Sequence, residues 1–149
     1  MQQELTLRII LEKPPSGVDF GLQKGRGSAY ETIQKQRSAG KALIFEFRAR
    51  LKPGEDPTPT FLGPFIQGPT DERFVYIDIG TYAGQTGTEW SRRLKIPLKG
   101  ITSDMIHRLL KDPRMILEAR VPGTGKDGGP TCGTVKPFDG WKLTNSAFL

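Results

Sequence analysis

The sequence predicts a single mainly β domain, an antiparallel β-sandwich or a partly open barrel with one short α-helix. Most segments alternate apolar and polar residues with a period of two, which is typical of strands that bury one face. Apolar residues recur at helical spacing in only one segment. Strands joined by turns, without alternating helices, argue against a parallel α/β sheet. No repeat or boundary divides the chain, so we expect one domain over residues 1–149.

The clearest predicted strand covers residues 4–12, where we expect one face to be buried and the other to be solvent-exposed. The inward set is Leu5, Leu7, Ile9 and Leu11, and the outward set is Thr6, Arg8, Ile10 and Glu12. Similar patterns predict further strands over 18–22, 42–51, 73–79, 91–98, 115–121 and 140–144. Residues 29–37 fit a polar strand slightly better than a weak helix. The proline-rich stretch 52–70 leaves room only for an edge strand, over 61–67.

The predicted helix covers about residues 102–112. Thr102 is the expected N-cap, which makes Ile101 and Ile106 the pair of a hydrophobic staple. Pro113 ends the helix, because a proline disfavours helical backbone in the residue before it. We expect this helix to lie across a sheet as a cover.

Composition excludes several classes of protein. The chain has 149 residues and a net charge of +6, and its apolar content, with glycine counted, is ordinary for a globular domain. Cys132 and His107 are the only residues of their types, so neither an intrachain disulfide nor a Cys/His zinc site can form. The longest apolar run is the four residues 42–45, and residues 1–4 do not resemble a secretion signal. We expect a cytoplasmic protein that uses no membrane, metal or cofactor.

A glycine-rich stretch, 123–128, matches the spacing G-x-G-x-x-G. The dinucleotide-binding form of this motif requires a helix to begin there, but the next residues are Gly129-Pro130-Thr131. We therefore expect an ordinary surface turn, with a backbone nest for an anion as the alternative.

Two basic clusters provide the leading functional hypothesis, a binding protein for a small anionic ligand or an acidic partner. The first is the glycine-containing loop 23–30, with Lys24, Arg26 and Tyr30. The second contains Arg92 and Arg93, followed by Lys95. Arginine binds carboxylates and phosphates bidentately, and glycines let backbone approach such a ligand closely. If the two clusters share a face, they would attract anions.

Three alternatives belong to other functional classes. A cofactor-free enzyme would use Asp78 as acid or base in an apolar cavity, with Tyr76 or Tyr82 orienting the substrate. A closed pocket lined by Phe45, Phe47 and Phe74 would favour an enzyme or a binder of a small ligand, whereas a filled core with a flat basic face would favour a macromolecular partner. A structural or interaction protein would form a homodimer through an edge strand. A binder of single-stranded nucleic acid would need exposed aromatic side chains beside a basic groove, and is the least favoured.

Several segments, taken in order, resemble a known family. They are residues 21–25, 65–68, 73–77, 92–95 and 125–132. In this order they resemble a bacterial family of single-domain proteins of unknown function, over most of the chain. The resemblance implies a bacterial single-domain protein, and it carries no activity or catalytic residue.

Overall fold

The computed structural model describes residues 3–22, 35–39, 41–51, 61–62, 74–82, 88–98, 100–136 and 138–147. This part of the chain contains ten strands and one helix. The strands are β1 (Gln3–Glu12), β2 (Asp19–Leu22), β3 (Lys35–Ala39), β4 (Ala42–Leu51), β5 (Phe61–Leu62), β6 (Phe74–Tyr82), β7 (Thr88–Pro97), β8 (Met115–Pro122), β9 (Gly133–Thr134) and β10 (Lys142–Asn145). The helix, α1, is Ser103–Lys111 and lies between β7 and β8. The mainly β prediction is confirmed.

The strands form two sheets. Sheet A has the order β10-β8-β1-β4-β3, with β5 also paired to β4, and sheet B has the order β2-β6-β7-β9. Most neighbours are antiparallel, as expected, but β1 pairs with β8 and β7 pairs with β9 in parallel. Both sheets are therefore mixed, and the expectation of purely antiparallel sheets is wrong. The sequence could not show this, because alternation within a strand does not specify the direction of its neighbour. In the described residues neither sheet closes into a barrel.

The core lies between the facing surfaces of the two sheets. From sheet A it receives the predicted inward residues of β1 together with Phe45 and Phe47 of β4. From sheet B it receives alternate residues of β6 and β7, which are buried throughout: Val75, Ile77, Ile79, Leu94 and Ile96. Burial of these side chains supplies most of the driving force for folding, at about 25 cal/mol per Å² of apolar surface. The fold is a β-sandwich.

Helix α1 begins and ends where the sequence predicts. The Thr102 hydroxyl accepts a hydrogen bond from the Met105 amide at 3.2 Å, so Thr102 is the N-cap. Ile101 and Ile106, the expected staple pair, are both buried in the core cluster. The helix packs against β1 and β8. It thus covers part of the core beside sheet A.

The second face of β1 differs from the prediction. The alternation predicts that Arg8 and Ile10 face solvent, yet they are only 1% and 3% exposed. Ile44 of β4 and Ile116 of β8 are buried too. Ile10 pairs with Ile44 in the sheet register, and β8 lies on the other side of β1. The middle of the central strand is therefore buried on both faces, and the expectation of a solvent-exposed face is wrong at Arg8 and Ile10. At the predicted outward positions on either side, Thr6 is half-buried and Glu12 is exposed.

Arg8 is held in this buried position by carboxylates on both neighbouring strands. It pairs in register with Glu46 on β4 and Glu118 on β8. Its guanidinium lies 2.9 Å from Glu46 Oε1 and 3.3 Å from Glu118 Oε2. It also donates a 2.7 Å hydrogen bond to the Ser146 carbonyl. One buried cation thereby links three strands of sheet A and the segment after β10.

Candidate functional site

The candidate site begins with the pairing of β6 and β7. These strands are antiparallel, and Asp78 pairs directly with Arg93 while Tyr76 pairs with Lys95. Asp78, Arg93 and Lys95 lie on the outer face of sheet B, because the alternate residues of both strands enter the core. Tyr76 shares their alternation, but it is only 6% exposed and belongs to the buried core cluster. The strands thus bring one carboxylate and two cations together on one surface.

A β-bulge changes this surface near one end. Ile79 pairs with Arg92, but the next residue, Gly80, pairs with Trp90, so Ser91 is the extra residue. A bulge interrupts strict alternation and re-aims the neighbouring side chains. As a result the consecutive residues Ser91, Arg92 and Arg93 all line the same depression.

The depression is open to solvent and has a volume of about 440 Å³. The described residues that line it are Asp78, Ser91, Arg92, Arg93 and Lys95. Three cationic side chains against one carboxylate give this lining a formal charge of +2. Within the described part of the chain, neither Arg92 nor Lys95 has a salt-bridge partner. Their charges are therefore available to a ligand.

Arg93 is held in place by two contacts. Its Nε donates to Asp78 Oδ1 at 3.0 Å, and its guanidinium carbon lies 5.0 Å from the centroid of the Tyr76 ring. Both the ion pair and the cation–π contact restrict the guanidinium before any ligand arrives. Among the described residues, its two terminal nitrogens have no hydrogen-bond partner. The guanidinium therefore retains a pair of parallel N–H donors, the geometry that binds a carboxylate or phosphate bidentately.

The structure brings together some of the predicted binding residues. Arg92 and Arg93 line the depression, as the leading hypothesis requires. Lys24, Arg26 and Tyr30 lie outside the described residues, so the expectation that the two basic clusters share a face stays a prediction. Sequence reasoning missed Ser91 and the pairing of Asp78 with Arg93. Predicting that pair would have required the strand register, which depends on the bulge.

The enzyme hypothesis places Asp78 in an apolar cavity, and the structure does not. Asp78 is in an ion pair on the outer face of sheet B rather than in an apolar cavity, and its side chain is 24% exposed. Phe45 and Phe47 belong to the continuous core, and Phe74 packs against it. Tyr82 ends β6, and its side chain lies outside the described residues. The described geometry therefore provides no apolar pocket around Asp78.

The glycine-rich stretch folds back on itself. The amide of Gly125 donates to the Gly129 carbonyl, and the amide of Gly128 donates to the Gly125 carbonyl. The amide of Gly129 donates to Asp127 Oδ1 at 3.1 Å. These three amides have internal acceptors and do not form an anion nest. The geometry is that of the surface turn that the sequence predicts.

The other candidate ligands and partners receive no support from the described residues. Tyr76 is 6% exposed, so its ring cannot serve as a stacking surface for a nucleobase. Within the described segments, His, Cys, Asp and Glu side chains do not gather into a group of three that could hold a metal ion. In the same segments, no helix has the length and apolarity needed to cross a membrane.

The comparisons with known proteins agree with the resemblance seen in the sequence. Neither a curated protein nor a solved structure matches this chain. A family model described as a family of unknown function, DUF5990, matches residues 5–144. This match includes every described strand from β2 to β9, the helix, and most of β1 and β10. The chain therefore belongs to the family of unknown function DUF5990.

Proposed function

We propose that this protein binds a small anionic ligand in the depression on the outer face of sheet B. The observation that carries the proposal is the convergence of Arg92, Arg93 and Lys95 on one open concavity. Two of these cations have no salt-bridge partner among the described residues, and the third keeps two terminal nitrogens for a ligand. The basic loop with Lys24, Arg26 and Tyr30 follows β2 in the chain, and we include it as a second contributor.

The charge of the lining favours a ligand with two negative charges. A ligand that carries two negative charges would neutralise the formal +2 of the described lining residues. Phosphate monoesters and dicarboxylates have this charge near neutral pH. Arg93 would bind one oxyanion group bidentately, while Arg92 and Lys95 add charge from either side along β7.

Isothermal titration calorimetry at low ionic strength tests the proposal, with glycerol 3-phosphate as the probe. The test variant is Arg92→Ala with Arg93→Ala, which removes two charges from the depression. The matched control is Arg108→Ala with Lys111→Ala, which removes two charges from the exposed side of α1. We expect the test variant to bind at least tenfold more weakly than the wild type and the control to bind within twofold of it.

Two results would contradict the proposal. One is absence of binding to the wild-type protein. The other is an equal loss of affinity in both double variants, because a general attraction to a basic protein depends on net charge and not on position. A thermal unfolding curve for each variant confirms that the fold is intact, as we expect for these accessible side chains.

A further inference from the structure

We infer that the ligand of this depression carries a hydrogen-bond donor, a hydroxyl or an amine, beside its anionic group. This inference rests on the proposed function and deepens it. The observation behind it is the carboxylate among the cations. Asp78 lines the same depression as Arg92, Arg93 and Lys95.

Asp78 has one oxygen available to a ligand. Its Oδ1 accepts from Arg93 Nε at 3.0 Å, and within the described residues Oδ2 has no partner. An ionised carboxylate only accepts hydrogen bonds, so Oδ2 can be satisfied by water or by a donor on the ligand. The partial exposure of this side chain leaves room for either.

The same carboxylate discourages a ligand that consists only of acceptors. A phosphate or carboxylate group beside Asp78 meets a like charge within the depression, which lowers its affinity. A neighbouring hydroxyl or amine on the ligand would turn this contact into a charge-assisted hydrogen bond. The lining therefore complements a hydroxylated or amine-bearing oxyanion, and it discriminates against an anion of equal charge without the donor.

The test compares two phosphate monoesters of the same charge and similar length by calorimetry. Glycerol 3-phosphate carries two hydroxyls, and propyl phosphate carries none. We expect the wild-type protein to bind glycerol 3-phosphate about tenfold more tightly, the ratio that one accessible charge-assisted hydrogen bond provides. A ratio near one overturns the inference.

The variant Asp78→Asn identifies the source of that ratio. Asparagine keeps one oxygen to accept from Arg93 Nε, so the position of the guanidinium is retained, but the charge and the second acceptor are lost. We expect the ratio to fall to about threefold or less, because the hydroxyl of glycerol 3-phosphate loses its charged acceptor. Loss of the like charge strengthens binding of both esters alike and does not change their ratio. An unchanged ratio in Asp78→Asn also overturns the inference.

Failure of the inference can be told apart from failure of the proposed function. If both esters bind equally and both lose affinity in the variant that lacks Arg92 and Arg93, the depression binds anions and only the donor requirement is wrong. If neither ester binds the wild-type protein, both proposals are overturned.

Discussion

The buried Arg8 gives the sharpest prediction about stability. Replacing it with methionine, which has a similar length and no charge, leaves Glu46 and Glu118 facing each other across β1 without their shared cation. Removing one partner of a buried ion pair costs about 3–5 kcal/mol, because the remaining charge is buried and uncompensated. The Arg8 side chain is 2% exposed, whereas those of Glu46 and Glu118 are 21% and 13% exposed. Water can partly solvate the two carboxylates, and Glu118 keeps a second cation, because Arg120 Nε lies 3.3 Å from its Oε1. We therefore expect the lower end of the range, about 3 kcal/mol.

Urea unfolding followed by circular dichroism measures this loss as a change in the free energy of unfolding. Thermal unfolding gives a second measurement: a domain of this size changes its midpoint temperature by about 2–4 °C per kcal/mol, so the midpoint should fall by about 10 °C. Arg108→Met is the matched control, because Arg108 makes an exposed pair with Asp104 four residues away on α1. Such pairs contribute about 0.3–0.5 kcal/mol.

A triple variant examines the cause of the predicted loss. Combining Arg8→Met with Glu46→Leu and Glu118→Leu also removes the two carboxylates that Arg8 binds, and apolar replacement of a whole buried ion cluster is often neutral or stabilising. We expect it to recover at least half of the free energy of unfolding that Arg8→Met loses. The reasoning is refuted if Arg8→Met costs less than about 1 kcal/mol, or no more than Arg108→Met.

Three smaller predictions follow from local geometry. Thr102→Ala removes the N-cap acceptor of α1 and should lower the free energy of unfolding by about 1 kcal/mol in urea denaturation; no change would mean that the cap is dispensable. Gly123→Ala should lower the free energy of unfolding more than Gly128→Ala does in the same assay. A Cβ at Gly123 would lie 2.7 Å from the Glu12 carbonyl oxygen, whereas one at Gly128 has no close neighbour and is opposed only by the backbone strain of φ +84°. The reverse order would contradict this close approach of the two backbones. The Arg114 backbone amide, and then its guanidinium, donate to Asp112 and hold the pKa of that carboxyl below its ordinary 3.8. The pKa of Asp112 is lower in the folded protein than in the unfolded chain. The stabilisation from the hydrogen bonds between Arg114 and ionised Asp112 is therefore present above about pH 3.8 and is lost as the pH falls through the folded pKa. An NMR titration midpoint for Asp112 at or above 3.8 would disprove it.

The strand and helix positions were largely predictable because they depend on local patterns. The alternation in 42–51 predicts β4 with the same bounds as the structure, and Thr102 and Pro113 bracket α1. The two-residue β9 was not predictable, since Gly133-Thr134 lies in a glycine- and proline-rich stretch without periodicity. It becomes a strand only because β7 is alongside.

What covers the outer side of a strand could not be read from alternation. The alternation places Arg8 in the polar set, which predicts that its side chain is exposed to solvent. The two carboxylates that compensate its buried charge are 38 and 110 residues away in the chain. The exception within β1 was Ile10, an apolar residue in the polar set. That single residue was the available signal that the second face is also buried.

The candidate site was predictable in composition and unpredictable in geometry. The charges of Arg92 and Arg93 indicate an anion-attracting surface from sequence alone. The pairing of Arg93 with Asp78 depends on the register of β6 and β7, and the convergence of Ser91 with both arginines depends on the bulge. Neither follows from the order of residues in one strand.

The most direct test of the central claim is an NMR titration of isotope-labelled protein with glycerol 3-phosphate, recording the backbone amide shifts. The account predicts that saturable shifts concentrate at residues 91–95 and at Asp78 on the facing strand. Shifts spread evenly over the basic surface of the protein, or concentrated away from β6 and β7, would contradict it.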